Sequence, residues 1–367
     1  MLACQRHLFE IPREVAYLDA AAFSALPAPV REAGEVGVMA KVRPWAIARG
    51  HAMAERVRGD AARLIGAAPD DVAIVGAVSQ AIATAARNVD LPAGSRILRI
   101  ADEFPSLSLV FDRLAAERGL ALDIVERPAD GDWTAAILAA IARPGPPLAL
   151  AALTPLHWSD GALIDLDRVV PAVRAAGGAV VIDATQAVGV LDVDVQRLRP
   201  DFLAFPTYKW VLGPYSLAFL YAAPERQDGL PIEENGNNRP GGGFAQGARR
   251  YDKGEMADPI GLPMAAAAME LVAGWGHAAI AARLRALTDA LADSLSGLGL
   301  AMVPRERRAP HILGVRLQGG LRPGLLDALA ARGAYAADRL GVLRISPHVW
   351  ADEADVEHFA EALRAVI

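Results

Sequence analysis

"DFLAFPTYKWVLGPYSLAFLY", residues 201–221, sets a single cation, Lys209, between two apolar runs. The first run, Asp201 to Pro206, shows no alternation of polar and apolar residues. That pattern belongs to a strand buried on both faces, as in a parallel sheet covered by helices. Lys209 admits two readings. Its stem can lie over apolar neighbours in a surface turn with the amine in water, or the amine is placed for chemistry.

Working outward, similar runs recur at "SRILRI" (95–100), "LALAAL" (148–153) and "AVVID" (179–183). Between them lie helix-like stretches, "SLVFDRLAAERG" and "LDRVVPAVRAAGG", the second stopped by Gly177 and Gly178. Apolar strands separated by helices predict an α/β domain with a mainly parallel sheet between helical layers. After "GLPMAAAAMELVAGWG" the pattern changes to a long helix over about 277–296, strands at "HILGVRL" and "GVLRIS", and a closing helix in "DEADVEHFAEALRAV". These segregated elements predict a smaller α+β C-terminal domain, giving a large domain over 17–262 and a small domain from 1–16 with 263–367. The segment "NGNNRPGGGFAQG" (235–247) reads as an irregular loop.

Composition narrows the function. A hydrophobic fraction of 53% argues for a globular chain. A net charge of -6 offers nucleic acid no general attraction. No apolar run reaches membrane-spanning length and "MLACQRHLFE" lacks a signal-peptide core, so the chain reads as a soluble cytoplasmic protein. The lone cysteine, Cys4, excludes an intramolecular disulfide, and no Cys/His spacing suggests a metal site.

Ligands of parallel sheets bind beyond the carboxyl ends of the strands. "AVVID" ends in Asp183, with Gln186 three residues on, and the next strand delivers Lys209 to the same edge. Taken alone, Asp183 also suits a turn or helix cap. Together, a lysine amine and a carboxylate suit pyridoxal 5'-phosphate: the amine forms a Schiff base, while the carboxylate keeps the ring nitrogen protonated. Gln186 is placed to donate to the ring 3'-oxygen. A third strand end, in "VAIVGAVSQAIATAARNV", puts Ser79 at a helix start, where N–H groups and the hydroxyl would bind a phosphate.

The ordered set "DATQ", "TYKWVLGP" and "RISPH", framed by "YLDAAAFSALP" (17–27) near one end, resembles the class V aminotransferase family of fold-type I pyridoxal-phosphate enzymes. That family includes cysteine desulfurases, kynureninases and isopenicillin N epimerase. The resemblance implies the fold-type I large domain, a homodimer with sites at the interface, and a small amino-acid substrate. It assigns Lys209 to the Schiff base, Asp183 to the ring nitrogen, Gln186 to the 3'-oxygen, and Ser79 with the Val78 backbone to the phosphate. Phe104, in "ADEFPSLSL", falls where the family stacks a ring on the cofactor, and Arg344, in "LRISPH", matches the arginine for the substrate α-carboxylate. Tyr208 is a phosphate contact by the kynureninase pattern or an aromatic filling the core. His157 and Trp158, in "LTPLHWSDG", are expected to line the cavity over the cofactor or simply to pack.

Two departures stand out. Pro206 and Thr207 precede Tyr208–Lys209 where desulfurases have Ser-Gly-His, and Glu255 or Met256 falls where the family supplies a phosphate hydroxyl across the dimer. The sulfur-carrying cysteine of desulfurases is also missing from "GAYAADRLGVLRISPH". The resemblance therefore favours chemistry at Cα or Cβ of an amino acid: β-elimination first, racemisation second, transamination third. A catalytically silent binding protein is the non-enzymatic alternative.

Overall fold

The computed structural model describes residues 2–47 and 50–367. Its organising feature is a seven-stranded sheet made from β2 (Val72–Val75), β3 (Arg96–Ile100), β4 (Ala121–Val125), β5 (Leu148–Leu153), β6 (Ala179–Asp183), β7 (Phe202–Pro206) and β8 (Ala218–Ala222), after a short β1 (Ala16–Tyr17). The strand order is β2-β8-β7-β6-β5-β3-β4. Pairings from β7 through to β4 are parallel, whereas β8 runs antiparallel to both β7 and β2. The second apolar run of residues 201–221 is thus the strand that turns back after Lys209.

Both faces are covered, as the uninterrupted apolar runs require. Val180, Ile182, Leu203 and Phe205 enter one core. Their neighbours Val181, Phe202 and Ala204 enter the other. The connecting helices are α3 (Val78–Asn88), α4 (Pro105–Arg118), α5 (Trp133–Ala142), α6 (Leu166–Ala175) and the short α7 (Val195–Leu198), preceded by α1 (Ala28–Ala40) and α2 (Ala52–Leu64). The helix expected at "SLVFDRLAAERG" begins earlier, because Pro105 is pre-set for a first helical turn, and it stops at Gly119 with φ +62°.

The later part of the chain holds α8 (Gly261–Trp275), α9 (His277–Ser294), α10 (Leu325–Ala330) and α11 (Glu353–Arg364). A second sheet has the order β12-β13-β10-β9, from β9 (Ala301–Met302), β10 (Leu313–Arg316), β12 (Ala337–Arg339) and β13 (Val342–Ile345). β11 (Ala334–Tyr335) pairs in parallel with β1, which stitches the start of the chain to its C-terminal region. α8 packs on α1 and α2, so the change of pattern near residue 262 coincides with the start of a continuous helix. Among the described residues no single helix is long and apolar enough to cross a membrane.

The sheet order reverses between β3 and β5: β4 lies outside β3, whereas β6 and β7 proceed from the other side of β5. Such a switch point opens a crevice beyond the strand ends. The carboxyl ends of β2, β3, β5, β6 and β7 all lie on this edge of the sheet.

Candidate active site

A cavity of about 280 Å³ lies at this edge, lined by residues from four of those strand ends. Gly76 to Ser79 come from the β2–α3 turn, Phe104 and Ser106 from the start of α4, Asp183 and Thr185 from the end of β6, and Pro206, Tyr208 and Lys209 from the end of β7. Tyr215, Ser216 and Leu217 complete it from the approach to β8.

Lys209 sits in a tight reversal. Leu212 N–H donates to its carbonyl at 3.1 Å, and Gly213 N–H donates to Thr207 O at 2.8 Å. A Cβ on Gly213 would lie 2.7 Å from Thr207 Cβ, so only glycine permits this closure. Pro206 fits because it ends the strand and its missing N–H breaks no further rung. The lysine is buried, its Nζ lies 5.6 Å from the ring centres of both Phe104 and Tyr208, and it makes no hydrogen bond or ion pair with the described residues. Burial, reinforced by Arg344, pulls its pKa down to about 8, although Asp183 pulls the other way. The bland surface-turn reading of Lys209 is therefore excluded by its environment.

Asp183 is also buried, which pushes its carboxyl pKa up against the hydrogen bond from Thr185 N–H at 2.9 Å and the charge of Lys209. At the other end of the cavity, α3 begins just after Ala77, whose side chain offers its first turn no cap. The free N–H groups and the Ser79 hydroxyl leave a site for an anion. Phe104 is 39% exposed and stands over this space, with Trp158 edge-on at 5.3 Å. Asp102, two residues before it, has φ +53°, and the Phe104 N–H donates to Glu103 Oε1 at 2.6 Å. Glu103 Oε2 is buried without a partner among the described residues, and burial, with Asp183 nearby, raises the Glu103 pKa to about 8.

The cavity thus brings together Val78, Ser79, Phe104, Asp183, Tyr208 and Lys209 of the residues expected from sequence. Tyr208 stacks on Tyr215, centroids 4.4 Å apart. Four others stand outside its lining. Gln186 is buried behind it: Trp210 Nε1 donates to Gln186 Oε1 at 2.7 Å and Gln186 Nε2 donates to Ala21 O at 3.1 Å. This arrangement fixes the amide with its nitrogen as donor. Arg344 is buried, donating from Nη1 to Trp158 O at 3.1 Å, and burial with the neighbouring Arg339 lowers its pKa to about 10. Trp158 reaches back to Asp102 O at 2.7 Å and touches the site through Phe104.

His157 corrects the expectation that it lines the cavity. It is fully buried, parallel to Trp133 at 5.3 Å, with Ser159 Oγ 2.9 Å and Arg127 Nη2 3.2 Å from its ring nitrogens. Burial drives its pKa down to about 4, despite Asp160. A neutral imidazole in a stacked, hydrogen-bonded niche is a core residue, and its polar groups are already satisfied.

Several neighbours escaped sequence reasoning. Thr185 and Tyr215 line the cavity, Trp210 orients Gln186, and Asp19 lies 3.5 Å from Arg344. Trp210 carried a visible signal, since it is a buried indole whose N–H needs an acceptor. Close backbone approach sustains that contact: Gly189 has φ +100°, and a Cβ there would lie 2.6 Å from Trp210 O.

The donors fit pyridoxal 5'-phosphate on the structure's own terms: a buried amine unpaired among the described residues, a buried carboxylate facing the same space, and an uncapped helix start at the opposite end. The family model for class V aminotransferases matches residues 16–358. Isopenicillin N epimerase from Streptomyces clavuligerus is 30% identical over 337 residues, covering 85% of this chain and 84% of its own. A kynureninase from Stenotrophomonas maltophilia is 29% identical, with 84% and 80% covered. The apo cysteine desulfurase of Thermococcus onnurineus superposes with a TM-score of 0.84 at 20% identity, over 100% of this chain and 99% of that one. The cystine C–S lyase C-DES, solved with its product cysteine persulfide, gives a TM-score of 0.84 at 19% identity, covering 95% and 97%. These last two likenesses speak to the fold. Match and site together place the chain in the class V aminotransferase family, as a pyridoxal-phosphate-dependent enzyme of fold type I.

Proposed function

We propose that the enzyme removes the Cα proton of a small α-amino acid or amino-acid conjugate and then eliminates its β-substituent, in the manner of a C–S lyase. When bound, the cofactor supplies an electron sink for the carbanion formed at Cα. Lys209 holds the cofactor and carries the proton, since burial strips its amine of solvent and lowers its pKa to about 8, within reach of proton transfer near neutral pH. Asp183 takes the ring nitrogen, Ser79 and the Val78 N–H the phosphate, Phe104 the ring face, and Gln186 the 3'-oxygen through the amide hydrogen that Ala21 O does not engage. Arg344 receives the substrate α-carboxylate, with Trp158 bordering the substrate through Phe104.

The observation that carries this reading is that Lys209 is the one aliphatic amine among the cavity-lining residues, with the Phe104 ring 5.6 Å from its Nζ. Elimination needs a single base at Cα, which suits this arrangement. The lone thiol supports direct release of the leaving group: Cys4 Sγ donates to Trp350 O at 3.3 Å and lies outside the cavity lining. Epimerisation is the second reading, favoured by 30% identity to an isopenicillin N epimerase across most of both chains. A homodimer accords with the exposed apolar side chains of Val36, Met39, Val42 and Trp45, the last 81% exposed.

The test is to incubate the loaded enzyme with cystine and S-alkyl cysteines in deuterated water. Elimination gives pyruvate, and Lys209→Ala abolishes it while leaving a folded protein. Deuterium at Cα with inverted configuration and no pyruvate would replace this reading with the epimerase one.

A further inference from the structure

The guanidinium of Arg344 is 1% exposed yet poorly served. Its Nη1 donates to Trp158 O, its Nε is buried with no partner among the described residues, and its Nη2 lies 3.5 Å from Asp19 Oδ1, which likewise has no hydrogen bond among them. A buried ion pair offsets its desolvation only with good geometry and full hydrogen bonding. This pair has neither. An arriving carboxylate with two free oxygens would complete the guanidinium in a way that the single distant oxygen of Asp19 does not.

Asp19 cannot leave when that happens. Its backbone is stitched to the strand end just past Arg344: Asp19 and Ser346 form a parallel bridge, Ser346 N–H donates to Leu18 O at 2.6 Å, Ala20 N–H to Ser346 O at 2.9 Å, and Ala21 N–H to Ser346 Oγ at 3.0 Å. Only the side chain can rotate. Once a second carboxylate shares the guanidinium, two like charges occupy one largely desolvated niche, and such a pair holds a proton.

We propose that Asp19 is the resting occupant of the Arg344 anion site, and that a substrate carboxylate displaces it with uptake of one proton from solvent onto the Asp19 carboxyl. This rests on the reading that Arg344 receives the substrate carboxylate. The charged and titratable groups around Asp19 are Arg344 on β13, Arg339 on β12, Lys209 on the β7–β8 turn and Tyr17 on β1. Burial already raises the Asp19 pKa above the ordinary carboxylate value, while Arg344, Arg339 and Lys209 resist. Arg344 is the largest of those opposing influences, so engaging it with a ligand weakens the resistance and the pKa rises further in the bound state. The sign follows: affinity is greatest below the free-state pKa, falls by up to about tenfold per pH unit between the two pKa values, and levels off above the bound-state one.

The probe is propanoate, a carboxylate without an amine, titrated into the cofactor-loaded enzyme and followed by the visible cofactor band, with proton uptake read in weakly buffered solution. Wild type takes up close to one proton per ligand more than Asp19→Asn within the window; the variant serves as the baseline for any proton drawn to the Lys209 nitrogen, which also faces Arg344. The variant also binds about tenfold tighter at the alkaline end and loses that part of the pH dependence. Equal proton uptake in both proteins, or weaker binding by Asp19→Asn, overturns the proposal. Arg344→Lys separates this from the reading beneath it. If it binds propanoate as wild type does, Arg344 is not the carboxylate site. If it weakens binding while Asp19→Asn leaves proton uptake intact, the displacement alone is wrong.

Discussion

Lys209 offers a prediction whose size follows from its surroundings. Burial, then Arg344, lowers the amine pKa from 10.5 to about 8. At about pH 7 that shift makes the neutral, nucleophilic fraction about 300-fold larger than for a solvated lysine. The rate at which cofactor-free protein captures pyridoxal phosphate should therefore rise with pH and level off through a midpoint near 8. Neighbouring charges then set the direction of each variant. Arg344→Gln removes a cation that lowers the pKa, so the midpoint moves up and capture at neutral pH slows. Asp183→Asn removes an anion that raises it, so the midpoint moves down. Stopped-flow absorbance of the visible band over a pH series reads all three proteins, with Lys209→Ala as the blank. A wild-type rate that climbs without inflection into the range of a free lysine, or variants that shift in the opposite senses, would refute the assignment of burial and Arg344 as causes.

Trp210→Phe leaves Gln186 Oε1 buried without its donor, and should lower stability by about 1–3 kcal/mol in denaturant titration. It should also weaken retention of the cofactor on dialysis, an effect a purely structural role for the indole would not produce. Arg58→Met strands Asp252, which accepts from Arg58 at 2.8 Å and from Ile74 N–H at 2.8 Å, and should cost about 3–5 kcal/mol. Adding Asp252→Leu should recover much of that loss, because the penalty lies in the abandoned charge.

The large sheet was legible because its signal is local. "AVVID" and "LALAAL" coincide with β6 and β5, and "DFLAFP" overlaps β7 apart from Asp201. A residue at the end of such a strand points to the ligand edge by topology alone, which is why Asp183, Lys209 and Ser79 could be named together. His157 shows where that inference stops. It also follows a strand, but the partners that turn it into the core, Trp133 and Arg127, belong to segments 24 and 30 residues earlier in the chain.

Strand ends and the chemistry they carry are local features of the chain: an amine, a carboxylate and a helix start on one edge of a parallel sheet, in the order of the class V family. Their state is set by the folded surroundings. The Lys209 pKa, the fixed orientation of the Gln186 amide and the unsatisfied pairing of Asp19 with Arg344 depend on burial and on charges brought in from distant segments. Asp19 and Arg344 are 325 positions apart and meet only because the start of the chain is stitched to β11 and to the end of β13. Desolvation and Coulomb interactions act through space, so residues that give no joint signal along the chain set the protonation of the site once the fold has brought them together.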